Sequence, residues 1–163
     1  MARARFAGIV AVAGSGCAIV GSFLPWIVAT DPMSGITLAK AGIDGHYAIV
    51  VDLMALISAA IGGFVLYRQH ASGAFALAMV VLPLAQLGLV IFVGSNLSRG
   101  VVQLQAVGAL ASLGFGIYLT ALGTVTELIG GTLAWTKGSL RTSIWRLRFK
   151  RAARHFRHFS SKL

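Results

Sequence analysis

Four carboxylates are the whole acidic supply of this chain: Asp31, Asp44, Asp52 and Glu127. Asp31 and Asp44 stand among turn formers, in Asp31-Pro32-Met33-Ser34-Gly35 and Gly42-Ile43-Asp44-Gly45, where a short carboxylate bonds its own backbone. Asp52 falls inside an apolar run, and an acid within a membrane span is a functional-site hypothesis by default, because hydrocarbon penalises its charge. The plainer reading sets Asp52 at the outer headgroup level beside Lys40 or Arg99. Glu127 is expected near the inner end of a helix, paired with Arg68 or with the basic tail. Gln86, with Gln103 and Gln105, suits interhelical hydrogen bonding better than a conduction path.

The remaining chemistry-bearing residues form no site. His46 and His70 are expected on opposite sides of a membrane. His155 and His158 are spaced i, i+3, yet no cysteine or carboxylate accompanies them as a metal ligand. Cys17, the single thiol, reads as a small buried residue. No serine stands in a nucleophile elbow, and no glycine-rich phosphate loop occurs. The expectation is therefore a protein that is not an enzyme and holds neither metal nor cofactor.

What positions these residues is a set of apolar runs. The chain has 163 residues, 57% of them apolar and only 11% charged, against roughly 25% charged in a soluble domain. Its mean hydropathy is +0.84. Lipid is the natural solvent for such a composition. The expected fold is all-α, a four-helix transmembrane bundle with spans at 6–29, 47–67, 74–93 and 101–126. The first run is too long for a signal-peptide core and no small-x-small cleavage site follows it, so it predicts a retained helix. Between the first two spans, 30–46 should form a short β-like hairpin or ordered turn, and 94–100 a second outer turn. Pro83 should kink the third helix near Gln86.

The net charge of +10 is concentrated rather than spread. Nine of the fourteen Lys and Arg residues lie between Lys137 and Lys162, which divides the chain into a membrane domain, 1–135, and a basic arm, 136–163. Trp145, Phe149, Ala152, Phe156 and Phe159 share one helical face, flanked by Arg146, Arg148, Lys150, Arg151, Arg154 and Arg157. A basic amphipathic helix beside a span predicts contact with anionic headgroups on the inner leaflet, or with an acidic partner face. Nucleic acid is the weakest of the three partners considered, and no small-molecule substrate is implied. With Arg3, Arg5 and Arg68, twelve basic residues fall on one side against Lys40 and Arg99 on the other. That bias predicts cytoplasmic N and C termini.

Glycines punctuate the spans: Gly8, Gly14, Gly16 and Gly21, then Gly62 and Gly63, then Gly108, Gly114, Gly116 and Gly123. Small residues let helices approach closely, either within the bundle or as a docking face for another membrane protein.

The combination Leu24-Pro25-Trp26, Gly35 and Gly42-Ile43-Asp44-Gly45 ahead of a second apolar helix resembles a group of small four-helix membrane proteins of actinobacteria. The resemblance covers about 6–135 and leaves the arm outside. It implies a four-helix fold in a bacterial inner membrane, and a place as an accessory subunit of a transporter, such as a lipid importer, or of a respiratory assembly. The sequence thus predicts a non-catalytic accessory subunit. The alternative is a small self-assembling channel or transporter using Asp52 and polar residues of helices three and four.

Overall fold

A computed structural model describes residues 2–68 and 73–136; the amphipathic helix expected in the basic arm lies outside the described residues. Helix α1 spans Ala2–Phe23. Strands β1 (Pro25–Thr30) and β2 (Thr37–Ala41) and a single 3₁₀ turn, Gly42–Asp44, follow. Helix α2 is His46–Arg68, α3 is Gly73–Ala106, β3 is Leu110–Leu113 and α4 is Phe115–Thr136. All four helices are long and apolar enough to cross a membrane. The chain is a multi-pass membrane protein.

The helices form a closed ring in which neighbours run antiparallel. Gly8 of α1 lies against Gly62 and Leu66 of α2, and Ser22 near the other end of α1 reaches Asp52. Phe64 and Phe75 stack at 4.9 Å between α2 and α3, and Tyr47 and Phe92 meet edge-on at 6.3 Å at the opposite end. Gly131 of α4 sits against the Met79 carbonyl of α3, and Gly94 against Ile117. Pro83 lacks the N–H that would have occupied the Met79 carbonyl one turn earlier, so α4 approaches a carbonyl its own helix leaves open. The helix continues through Pro83 without interruption.

Glycines close the ring between α1 and α4. A Cβ at Gly14 would stand 2.6 Å from the Glu127 nitrogen, and one at Gly116 2.6 Å from the Gly21 carbonyl. Gly123 faces the Ala18 backbone and Gly130 faces Ala11. Gly116, Gly123 and Gly130 recur every seven residues, which keeps one face of α4 against one face of α1. The buried positions of α1 (Ala7, Gly8, Ala11, Gly14, Ser15, Ala18, Gly21 and Ser22) are all small. That permits backbone-to-backbone packing where apolar bulk would gain nothing over lipid.

Boundaries differ from those the apolar runs predict at several points, among them the end of the fourth span, at Thr136 rather than 126. The first helix stops at Phe23 rather than 29, because Leu24 precedes a proline and the residue before proline is pushed towards extended backbone. The third helix runs to Ala106, and the outer turn expected at 94–100 is helical. Ser95, Asn96 and Ser98 there bond carbonyls of their own helix, at Phe92, Phe92 and Ser95, instead of ending it. The fourth span begins at Phe115, not 101, after a turn at Val107-Gly108-Ala109 in which Gly108 takes φ +91°. Gly108 is therefore a turn residue rather than a packing residue. Glu127, Gly130 and Gly131 move from the expected end of a helix to its middle and to the half remote from the sheet.

The strands form one antiparallel sheet in the order β2-β1-β3. The hairpin expected after the first span is present, and β3 adds a strand that the sequence did not suggest. Its turn is pinned by Asp31, which accepts from the Met33 backbone at 2.9 Å and the Ser34 hydroxyl at 2.7 Å, and by Gly35 at φ +69°. At 34 residues, α3 is about 51 Å long, some 20 Å more than a hydrocarbon core requires. Its surplus stands beside the sheet, and the two form a cap over one end of the bundle.

Candidate functional site

Two places concentrate polar or accessible chemistry: the cap, and a buried layer halfway down the bundle. In the cap, β1 and β2 change register between Pro25 and Ile27, so that Trp26 is the extra residue of a bulge. A bulge re-aims a side chain. Trp26 is turned under the sheet to 4% exposure, where its Nε1 donates to the Gly21 carbonyl at 3.0 Å. A tryptophan beside a span end usually sits at the headgroup layer; Trp26 is instead the centre of a cluster with Ala48, Val51, Val90, Val93 and Ile117.

Gly42 of the short motif packs on this ring, together with Gly116 from the start of α4. Neither has space for a Cβ, and Gly114 backs the Pro25 carbonyl while its N–H bonds Trp26 O at 2.8 Å. Asp44 accepts from the Ala41 N–H at 3.1 Å, and Gly45 N–H bonds Gly42 O at 2.9 Å. Around the rim, a cavity of about 180 Å³ is lined by Trp26, Lys40, Tyr47, Val93 and Leu97 among others.

Beyond that rim the hairpin projects apolar residues outward. Met33 is 95% exposed, with Ile36 and Leu38 also exposed. Strand β2 forms an edge of the sheet and is exposed along most of its length. On the other edge, Gln105 donates its side-chain amide to the Ala111 carbonyl of β3 at 2.8 Å. The two hydrogen bonds to Asp31, that from Ser34 above all, hold its carboxyl below its ordinary value of 3.8. A depressed value means that Asp31 stabilises the turn above that pH and loses the contribution as pH falls below it. The protection of the Met33 and Gly35 amides, exchange being corrected for its intrinsic pH dependence, should therefore fall between pH 6 and pH 3, and an Asp31→Ala variant should show no such fall.

The second place is the bundle interior. At one level each helix contributes a fully buried polar residue, Ser15, Ser58, Gln86 and Glu127, none more than 2% exposed. By helical rise Ser58 and Glu127 lie about 15 Å from the ends of α2 and α4 remote from the sheet, and Ser15 and Gln86 about 20 Å from theirs. Both hydroxyls, Ser58 and Ser15, face the Glu127 carboxyl. Among the described residues, neither Glu127 oxygen accepts a hydrogen bond, and Ser58 Oγ and both polar atoms of Gln86 also lack one. The expected pairing of Glu127 with Arg68 does not form; Arg68 instead lies over the Phe64 ring at 5.7 Å.

Asp52 lies nearer the sheet, about 9 Å into α2. Its Oδ2 accepts from Ser22 Oγ at 2.8 Å, rather than from Lys40 or Arg99, while Oδ1 is buried without a partner. Thr120 and Thr124 continue the buried polar positions along α4 and bond carbonyls of their own helix. On the far side of the layer the packing is apolar: Ala7, Ala11, Val65, Met79 and Ala134, with Ile61 against them.

Sequence reasoning singled out Asp52, Gln86 and Glu127 but missed Ser15, Ser22 and Ser58. A signal existed, since the buried positions of α2 are Ala48, Val51, Ala55, Ser58, Gly62 and Val65, alternating steps of three and four. Cys17, expected buried, is exposed on the outside of α1. Gly16 and Gly63 have open space where a Cβ would stand, so they face outward and are not spent on packing within the chain. No family model matches this chain, and no curated protein matches it.

Proposed function

We propose that this protein is a non-catalytic accessory subunit of a larger membrane assembly, held to its partner through the cap. The observation that carries the reading is the hairpin. Met33, Ile36 and Leu38 are apolar and exposed at the end of a sheet whose edge strand β2 is open to pairing. An exposed edge with apolar side chains suits strand addition by an extracytoplasmic segment of a neighbouring membrane protein. The adjoining cavity beside Trp26 and Lys40 has the size of one large side chain. The resemblance to small actinobacterial four-helix proteins points the same way, to an inner-membrane transporter, such as a lipid importer, or a respiratory assembly. The charge bias sets the cap on the extracytoplasmic side, with both termini cytoplasmic. The basic arm then braces the complex on anionic inner-leaflet lipids.

The rival reading, a self-assembling channel, is weakened by the apolar packing of Ala7, Ala11, Val65, Met79 and Ala134 beneath the polar layer. The glycines also favour a self-contained bundle, since Gly8, Gly14, Gly21, Gly62, Gly116 and Gly123 are all covered by the chain's own helices. The test is purification of the tagged full chain in mild detergent, alongside a Met33→Asp/Ile36→Asp/Leu38→Asp variant. Defined membrane proteins should accompany the wild type in fixed ratio and be lost from the variant, while both run as monodisperse species. Recovery of the chain alone from wild-type membranes, with either terminus tagged, would sink the proposal.

A further inference from the structure

We propose that the mid-bundle layer around Glu127 is a binding site for one monovalent cation, a proton or an alkali-metal ion, with Glu127 supplying the charge and Ser15 and Ser58 the neighbouring oxygens. The role is separate from docking at the cap and does not depend on it.

The argument starts from what the carboxyl lacks. Glu127 is 1% exposed, and no described residue donates a hydrogen bond of 3.5 Å or shorter to either of its oxygens, the Ser58 and Ser15 hydroxyls facing them at longer range. A bare carboxylate in that position is strongly disfavoured, so a positive charge must accompany it. Among the described residues the bundle does not provide one. Gly14 and Ser15 face it from α1 and Ser58 from α2, Gln86 stands at similar depth on α3, and none of these side chains titrates or carries charge. Asp52, the next acid on α2, is about 9 Å further towards the sheet and engaged by Ser22.

The hydroxyls sharpen the choice of ligand. Ser15 Oγ has one proton and stands 3.0 Å from the Ala11 carbonyl; in the rotamer that donates there, lone pairs face Glu127. Lone pair facing carboxylate is repulsive unless a proton or a cation lies between them. Ser58 Oγ is 98% buried, faces the same carboxyl and has no other partner. The set is all oxygen, which suits a hard cation and not the softer transition metals. One carboxylate neutralises one unit of charge, which favours a monovalent ion over calcium or magnesium, both of which usually recruit more carboxylates or retain waters.

Access is one-sided. Thr124, Thr120, Ser22 and Asp52 place polar groups between the layer and the sheet, whereas the apolar cluster of Ala7, Val65 and Met79 closes the other end. The ion therefore exchanges with the compartment on the sheet side. Gly14 makes the room: a side chain there would stand 3.0 Å from Glu127 Cγ.

The experiment uses the purified full chain in lipid nanodiscs. Thermal midpoints are measured from pH 5 to 9 with sodium chloride, or with choline chloride at equal ionic strength, for wild type, Glu127→Gln and Ser58→Ala. In parallel, wild type is treated with the apolar reagent dicyclohexylcarbodiimide, which attacks protonated carboxyls within membranes, and modified residues are mapped by mass spectrometry. The expected result is modification at Glu127 and a wild-type midpoint that responds to pH, to sodium, or to both. The response should be absent in Glu127→Gln, and any sodium response should need about tenfold more salt in Ser58→Ala. Protection by sodium but not choline identifies an alkali ion, and dependence on pH alone identifies a proton. Should Glu127→Gln fail to fold, the wild-type labelling and the Ser58→Ala shift decide the matter. A wild type whose midpoint and labelling ignore both pH and sodium, or a Glu127→Gln protein responding as wild type does, overturns the proposal.

Discussion

Replacing Trp26 by alanine should dismantle the cap while leaving the four helices in the membrane. The ring is 4% exposed and fills the space between the sheet and the nearby ends of α2, α3 and α4. Truncating a buried tryptophan costs about 3–5 kcal/mol, from lost contacts and from the cavity left behind. The loss also strands the Gly21 carbonyl that Nε1 bonds at 3.0 Å. A small sheet with one exposed edge has little else to hold it, since Leu38 and its neighbours on β2 face outward. The expected readout is rapid amide exchange across Pro25–Thr30 and Thr37–Ala41, with exchange in α2 nearly unchanged. Gly42→Ala should reproduce much of the effect, because its Cβ would collide with the same ring. Slow exchange in β1 of the Trp26→Ala protein would show that the sheet is held by something other than this ring.

The second large effect is expected at Gly123. A methyl group there would run into the Ala18 backbone and the Gly14 carbonyl, and backbone cannot rotate away as a side chain can. Overpacking of this kind costs about 1–3 kcal/mol, and α1 and α4 would also separate along their length. Gly16→Ala is the matched control. Its Cβ meets open space, and alanine gains up to about 1 kcal/mol of helix propensity over glycine. Reversible unfolding from mixed micelles should show Gly123→Ala clearly destabilised and Gly16→Ala unchanged or more stable. Equal stability of the two variants would remove the glycine seam as the element joining α1 to α4.

These two sites also show how far the sequence could be read. The second span was legible nearly to the residue, because Asp44-Gly45 precedes it and Arg68 follows it. The division between α3, β3 and α4 was not. From Val101 to Thr126 the chain carries no charge and no proline, so the break at Val107-Gly108-Ala109 is marked only by Gln103 and Gln105 before it and by glycine's tolerance of positive φ. That displacement hid the depth of Glu127, which looked like a residue leaving the membrane. The inward turn of Trp26 was illegible for a related reason. Tryptophan near a span end usually anchors at the interface, and a bulge that turns it inward depends on pairing with a strand eleven or more residues away. The serines opposite Glu127 were invisible because short hydroxyls are common in apolar helices, and only the three-four stepping of buried positions marks Ser58.

The sheet is joined to the helices by unusually short leads. Only Leu24 separates α1 from β1, and only Gly114 separates β3 from α4, while β1 and β3 pair from Ile27 to Thr30 with Leu113 to Leu110. The two helices that meet along the glycine seam are therefore also clasped at their tips, and they behave mechanically as one stiff beam ending in a handle. A load applied to the hairpin cannot be dissipated in a slack loop. It passes as torque along α1 and α4 together, straight to the level at which Ser15 and Glu127 face each other.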